Sequence, residues 1–392
     1  MTDYASGFNE CRVDLGALAR NYKRVSEFSK CRVMAVVKGD AYGHGLVEAG
    51  LALVEAGCQD LGVLDLEEAL ALKRHPIEAD ITVLAGLHGQ IQSIKAVEAG
   101  VVVFAYDLGQ VMALSKIAER LDKTARILLK VDTGMGRLGI PWEKAPYTFS
   151  SLSSLKNLKI EGLCTHLATC GDDGAREQLE RFAEVGFKAK KTAKGPLKLS
   201  ALASGGILAH PGFPDDLSRT GIMLYGNTPL EPASPALSDL KKSKSLIKSL
   251  EPAMAITSRL IQVREAKAGE TISYDRTFKV PKTLKFGTAP IGYVHGIGRS
   301  RSSTGHALIG GRKAKLLGRV CMNLTMYDLS GINAHPGDEV VIMGAQGDES
   351  IGAAQIGAWE GTSPYEILCR LGRLNQRRFY RSPDPKAPKK RR

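Results

Sequence analysis

Residues Met34–Gly45, MAVVKGDAYGHG, carry the reading from which the rest of the chain is interpreted. A short apolar run ends in Lys38, and a loop bearing glycine, tyrosine and histidine follows at once. An apolar run of this length bounded by turn residues reads as a buried strand, so the lysine is delivered at the strand's C-terminal end. Barrel and open-sheet enzymes keep their chemistry at that end. A lysine beside apolar neighbours is poorly hydrated as a cation, which lowers its pKa and frees the neutral amine for Schiff-base chemistry. The competing reading is a surface lysine at a strand end.

Working outward, the apolar positions Leu15, Leu18, Tyr22, Val25 and Phe28 recur at helical spacing behind Asp14, which can cap the helix. Short apolar runs then alternate with helical segments. The expected strands are Val33–Val37, Leu61–Leu64, Ile81–Leu84, Val101–Phe104, Arg126–Val131, Leu158–Thr165, Leu197–Leu202 and Arg219–Tyr225. Such alternation predicts parallel βαβ units, and eight of them predict an α/β fold with a closed, TIM-type (β/α)8 barrel. The stretch from Gly226 to Pro252 breaks the rhythm with four prolines and a lysine-rich segment. Beyond it, AITSRLIQV (255–263), FGTAPIGYV (286–294), AKLLGRVCM (314–322) and DEVVIMG (338–344) are separated by glycine-rich turns and read as a mostly antiparallel β domain. The expected domains are a barrel over 1–245, a β domain over 246–381 and a disordered basic tail over 382–392.

With 392 residues, 43% hydrophobic and 24% charged, the composition is that of a soluble globular protein. No apolar run approaches the ~20 residues that span a bilayer, and the first residues, MTDYASGFNECRVDLG, have neither the basic nor the apolar region of an export signal. Seven scattered cysteines without CxxC spacing suit neither a zinc site nor a complete disulfide framework, so no metal and a reducing cytoplasm are expected. The formal charge is +13, of which the last eleven residues, SPDPKAPKKRR, supply a net +4. No aromatic-interleaved basic patch accompanies the rest, so nucleic acid is not the expected partner. A moderately basic body suits a phosphorylated cofactor and carboxylate substrates.

Placed on this scaffold, Lys38 follows the first strand, Lys130 and Arg137 flank the end of the fifth, His166 follows the sixth, Ser204 the seventh, and Arg219 to Ile222 lie along the eighth. Convergence at C-terminal strand ends is what a barrel active site requires. The same segments carry a family resemblance: VVKGDAYGHG (36–45), KVDTGMGRLG (130–139), THLA (165–168), RTGIMLYG (219–226), SYDRTF (273–278), IGYVHGIGR (291–299), GRVCMN (318–323) and SPYE (363–366). Together these motifs resemble the bacterial alanine racemases, pyridoxal 5′-phosphate (PLP) enzymes that join a barrel to a β domain. The resemblance runs from about residue 8 to residue 381.

The resemblance implies that Lys38 holds PLP through its amine and acts as base on one face of the substrate α-carbon. Tyr274, from the β domain of the partner subunit, would act on the other face, which makes the working unit a homodimer. Inverting a stereocentre through a planar carbanion needs two groups on opposite sides, and a neutral lysine and a tyrosinate of lowered pKa suit that task. Arg219 would face the pyridine nitrogen, and His166 would support it. Tyr42, Ser204, Tyr365 and the backbone N–H groups of Gly221 and Ile222 would hold the phosphate. Arg137 and the N–H of Met322 would meet the substrate carboxylate, Tyr293 would shape the entrance, and Lys130 is a position often carbamylated in the family.

The chain departs from the family pattern at Ala203, where asparagine is usual, at Asn323, where aspartate is common, at Asp275, where glycine is frequent, and in the segment 294–297. The expected activity is interconversion of L- and D-alanine in the cytoplasm, supplying D-alanine for peptidoglycan. A serine or broad-spectrum racemase is the alternative within the family. A PLP-dependent decarboxylase would normally place an acidic residue on the pyridine nitrogen, against Arg219, and a non-enzymic PLP carrier would lack the second domain.

Overall fold

The computed structural model describes residues 7–230, 233–238 and 240–384. Residues 385–392 of the basic tail therefore lie outside the described residues. Contacts divide the chain into two compact units, one built from Leu18–Ala41 and Leu46–Glu251, the other from residues up to Ala17, Tyr42–Gly45 and the chain from Pro252 onward.

In the first unit, eight parallel strands form the barrel: Arg32–Val36, Asp60–Val63, Asp80–Val83, Val102–Ala105, Ala125–Asp132, Leu158–Cys164, Lys198–Ser200 and Leu217–Thr220. From the first to the seventh each pairs with the next, and the eighth pairs with the first through Leu217 to Arg32 and Thr220 to Ala35. Between the seventh and eighth, closure rests on two backbone bonds, Asp216 N–H to Leu199 O and Arg219 N–H to Leu202 O, both 2.9 Å. The inward-facing Met34, Val102, Phe104, Leu128, Cys164 and Leu217 fill the interior as one buried cluster. Gly62 makes room for them, since a Cβ there would stand 2.9 Å from Met34 Sδ.

The alternation of apolar runs and helices thus closes into the expected barrel, with two local differences. The seventh strand stops at Ser200 because the Asp215 carboxylate takes the N–H groups of Ala201 (2.7 Å) and Leu202 (2.9 Å) out of the ladder. The eighth stops at Thr220, and Ile222–Tyr225 coils into a 3-10 turn whose Tyr225 hydroxyl donates to Val36 O at 3.0 Å. An apolar run does not by itself distinguish a strand from a buried turn.

In the second unit, a seven-stranded sheet runs in the order Arg312–Lys315, His306–Ile309, Glu339–Gln346, Met254–Arg259, Glu10–Asp14 and Arg377–Tyr380, with Glu349–Ile351 paired to the third of these. All its pairings are antiparallel except that of Glu10–Asp14 with Arg377–Tyr380. Asp14 ends its strand and accepts the N–H groups of Gly16 (2.9 Å) and Ala17 (3.1 Å), capping the helix Leu15–Ser29 as its sequence suggests. A three-stranded sheet of Gln262–Ala266, Leu284–Ala289 and Thr325–Asp328 packs Phe286, Met326, Leu317 and Ile272 into a second buried cluster. No helix among the described residues is long and apolar enough to cross a membrane.

The N-terminal end of the barrel is tied by alternating charges. Arg126 donates to both oxygens of Asp80 (2.8 and 3.0 Å) and to Glu161 (2.8 Å), Arg32 pairs with Asp60, and Lys159 and Lys198 approach Glu161 at 2.9 and 3.8 Å. The bond from Arg126 holds the Asp80 carboxyl below its ordinary value. Burial pushes Glu161 up, but its bonds with Lys159 and Arg126 outweigh that and lower it. Arg126→Met is expected to cost about 2–3 kcal/mol of unfolding free energy at pH 7, discounted for partial exposure. Because both carboxyls are lowered in the folded protein, this advantage should be present above their unfolded values and shrink as pH falls through the folded ones. Urea unfolding of both proteins at pH 7 and pH 3 checks it, and an equal gap at the two values would refute the assignment.

Candidate active site

Lys38 follows the first strand as the sequence leads one to expect, but the residues after it do not form an irregular loop. Gly39, Asp40, Ala41 and Tyr42 wind left-handed in succession, with φ of 65°, 59°, 53° and 54°. Each non-glycine residue in that conformation costs roughly 1–2 kcal/mol, so the turn must be held. Ala41 N–H donates to Val37 O at 2.7 Å, Asp40 N–H to Glu68 Oε1 at 3.0 Å, and Leu46 N–H to Asp40 Oδ1 at 2.9 Å.

Arg219, on the eighth strand, is 5% exposed. Its guanidinium donates to the carbonyls of Ser200 (2.8 Å), Thr165 (2.7 Å) and Ala201 (3.2 Å) and to the Ser200 hydroxyl. Guanidinium cannot lose its proton under these conditions, so a fixed positive charge sits among three strand ends. The neighbours respond to it. Burial, then Arg219 and Arg137, depress the Lys130 ammonium to about 8, although Cys164 and Asp132 pull the other way. Burial, followed by the charges of Arg219, Lys130, Arg137 and Lys38, brings His166 down to about 3, so the imidazole is neutral at physiological pH.

The loop carrying Arg137 is shaped by Asp132. Its carboxylate accepts the N–H groups of Gly134 and Met135 at 2.9 Å and of Gly136 at 3.1 Å. Burial alone would raise this carboxyl, but the backbone donors outweigh it and hold it low. Arg137 itself is exposed in the isolated chain. On the far side of the barrel, Ser204 Oγ accepts the Gly221 N–H at 3.2 Å and lies 3.2 Å from Thr220 Oγ1. Ala203, at the N-cap of the helix Ser204–Ala209, makes no side-chain cap bond, so the polar contact an asparagine offers is absent at this position.

The second unit gathers three further residues singled out in the sequence. Tyr293 N–H donates to Cys321 O and Val294 N–H to Met322 O, both at 3.1 Å. Gly292 permits this approach, since a Cβ there would lie 2.3 Å from Cys321 O. Ser273 Oγ donates to Arg319 O at 2.7 Å, which brings the Tyr274 turn beside the same segment, 319–322. Tyr274, Met322 and Tyr293 are 64%, 54% and 42% exposed. Within this unit Tyr42 and Tyr365 also meet, ring centroids 6.0 Å apart, and burial raises the Tyr42 phenol, helped by Tyr365.

The descriptions "Alanine racemase, N-terminal domain" and "Alanine racemase, C-terminal domain" match residues 13–229 and 253–379. The chain belongs to the alanine racemase family. "Alanine racemase 2" of Caldanaerobacter subterraneus subsp. tengcongensis is 36% identical over 369 residues, 92% of each chain. The crystal structure of alanine racemase from the D-cycloserine producer Streptomyces lavendulae superposes with a TM-score of 0.88 at 28% identity, over 96% of this chain and 98% of that one. The alanine racemase of Bartonella henselae, solved with covalently bound pyridoxal phosphate, shares the fold with a TM-score of 0.83 at 24% identity, over 96% and 100% of the two chains.

Against the family pattern, His295 receives a structural explanation. Its Nδ1 accepts the Gly292 N–H at 3.1 Å, closing the turn that precedes Gly296, whose φ is 89°. Reading the sequence alone overlooked Glu68, Thr133, Thr165, Gln178 and Ser200. Gln178 donates to Thr133 Oγ1 and His166 O, both 3.2 Å, and accepts from Ala168 N–H at 2.8 Å, joining the loops after the fifth and sixth strands. Its signal was present: one polar side chain on a buried stripe with Ala175, Leu179, Phe182 and Val185.

The lowered His166 value has a stability consequence. Between about pH 6.5 and 3 the unfolded chain binds a proton at this residue that the folded chain does not, so stability falls as pH drops through that window. His166→Gln removes the titration and is expected to flatten this part of the curve in urea unfolding measured from pH 7 to pH 4. An unchanged slope would show that His166 is not the titrating group.

Proposed function

We propose that this enzyme is a PLP-dependent alanine racemase that interconverts L- and D-alanine by a two-base mechanism, working as a homodimer. The observation that carries the reading is the set of groups at the C-terminal end of the barrel. Lys38 and Arg219 stand there with a neutral His166, a depressed Lys130 and the Ser204, Thr220 and Gly221 donors, in a chain of this family. Hydroxyl, amide and cationic donors suit a phosphate dianion, and a guanidinium that keeps its protons suits an unprotonated pyridine nitrogen.

Pyridoxal phosphate, when bound, withdraws electrons from the amino acid and so acidifies the α-proton. The chain's own residues do the rest. Lys38 holds the cofactor and moves the α-proton on one face, and Tyr274 of a second copy moves it on the other. Ser204 and the N–H groups of Gly221 and Ile222, with Tyr42 and Tyr365, secure the phosphate. Arg219 would face the pyridine nitrogen, and a guanidinium that keeps its protons would limit electron withdrawal there and so disfavour transamination. His166, neutral, packs beside Arg219 without adding charge.

Arg137 and the Met322 N–H orient the substrate carboxylate, and Tyr293 narrows the entrance. The depressed value of Lys130 leaves a sizeable neutral fraction at physiological pH, the form that reacts with carbon dioxide, and a carbamate there would hold Arg137 by a charge-assisted bond. The large exposed fractions of Tyr274, Met322 and Tyr293 are what residues that complete a second copy's site require. A barrel of one copy and a β unit of the other then make each centre. Seven free thiols suit a reducing cytoplasm, where D-alanine is supplied for peptidoglycan.

The reading is tested by racemisation and α-proton exchange of L-alanine on PLP-loaded enzyme, with L-serine, L-lysine and L-arginine alongside. Fast alanine turnover and weak turnover of the others are expected. Comparable rates on the larger substrates would replace it with a broad-spectrum racemase, and no turnover with PLP bound would leave a carrier. Lys38→Ala is expected to abolish turnover together with covalent PLP retention. Tyr274→Phe should retain PLP and slow proton transfer by at least about 10²-fold, and wild-type rates in either variant would overturn the two-base assignment.

A further inference from the structure

Glu68 occupies an unusual place for a capping residue. The helix Leu66–Lys73 begins at N-cap Asp65, whose side chain accepts the Glu68 N–H at 3.0 Å. In a capping box the glutamate at this position reaches back to the N–H of the N-cap residue itself. Here the carboxylate goes elsewhere: Oε2 accepts from Leu64 N–H at 2.8 Å, and Oε1 from Asp40 N–H at 3.0 Å.

Those two amides lie just beyond the ends of adjacent barrel strands. The first strand, Arg32–Val36, pairs with the second, Asp60–Val63, as far as Val36 opposite Gly62, and one more bond runs from Val37 N–H to Gly62 O at 2.8 Å. After Val37 the chain enters the left-handed turn and can form no further rung. The Glu68 carboxylate supplies the next tie, with one oxygen on each strand's continuation. It thereby holds the amide of the second of four consecutive left-handed residues, directly after Lys38. A carboxylate bonded to backbone N–H groups makes a charge-assisted, short-range clamp, and the turn it grips is one the backbone would otherwise leave.

We propose that Glu68 is a positioning residue for Lys38: by coupling the left-handed turn to the second strand, it fixes where the lysine amine stands. The proposal rests on the reading of Lys38 as the cofactor-holding base on one face of the α-carbon. It concerns a residue whose own side chain need touch neither cofactor nor substrate. Removing the carboxylate takes this acceptor from the Asp40 N–H and lets the turn relax, while the ladder before it stays intact. A small displacement of a reacting group is enough to cost about 10²-fold in rate.

The test compares wild type with Glu68→Ala, Glu68→Asp and Glu68→Gln, each loaded with PLP. Hydrogen exchange at the Asp40 and Leu64 amides is expected to quicken in Glu68→Ala, with exchange at the ladder amide of Val37 unchanged. The turnover number should fall about 10- to 100-fold with little change in KM. Glu68→Asp, one methylene too short to span both amides, should fall similarly, and Glu68→Gln, which keeps one acceptor oxygen, should recover part of the rate. The primary isotope effect with α-deuterated alanine should rise for only one enantiomer, the one from which Lys38 takes the proton. Exchange at Asp40 unaltered by Glu68→Ala, or isotope effects that rise equally for both enantiomers, would overturn the positioning role. Borohydride fixation of PLP in the wild type, read by peptide mapping, separates the two failures. A label away from Lys38 overturns the reading of the lysine, and the proposal with it, whereas a label on Lys38 with unaltered exchange overturns the role of Glu68 alone.

Discussion

One buried guanidinium contributes both to the closure of the barrel and to the electrostatics of its working end. Arg219 sits on the last strand, where only two backbone bonds join it to the seventh, and its side chain adds bonds to carbonyls at the ends of the sixth and seventh strands. The same charge, buried where water cannot screen it, contributes to lowering Lys130 and His166. Replacing it would open a seam and alter two pKa values at once, which is why fold and chemistry cannot be separated at this position.

The two ends of the barrel solve opposite problems. At the N-terminal end Arg32, Arg126, Lys159 and Lys198 meet Asp60, Asp80 and Glu161, so every carboxylate there has a cationic partner and the end serves stability. At the C-terminal end Lys38, Lys130, Arg137 and Arg219 gather, while the nearby Asp132 carboxylate is occupied by three backbone N–H groups of its own loop. A cationic end of this kind favours an anionic ligand, and it adds to burial in lowering the Lys130 ammonium and in keeping the His166 imidazole neutral.

Much of the site was legible because barrel enzymes place their chemistry by a rule of topology. Once Lys38, Lys130, His166, Ser204 and Arg219 were assigned to strand ends, their approach followed from parallel strands pointing one way. What escaped was the supporting layer. Gln178 reaches two loops from the middle of a helix, and Glu68 diverts a capping carboxylate toward another strand. Side chains of that kind act on residues far away in the chain, and local patterns carry no record of the distance. The left-handed turn after Lys38 was hidden for the same reason. Only Gly39 among its four residues announces the conformation, and Asp40 and Ala41 are held in it by bonds to Val37, Glu68 and Leu46.

The sequence by itself determined the βα alternation, the β-rich second half, the Asp14 cap and the family, because periodicity, capping and spaced motifs are local properties that survive in one dimension. Tertiary structure decided where strands end, as at Ser200 and Thr220, since those limits depend on the Asp215 carboxylate that reaches Ala201 and Leu202 and on the bond from the Tyr225 hydroxyl to Val36 O, far away in the chain. It also decided the protonation of Lys130 and His166. Burial and the summed field of several cations set those values, and both exist only once the chain has closed on itself.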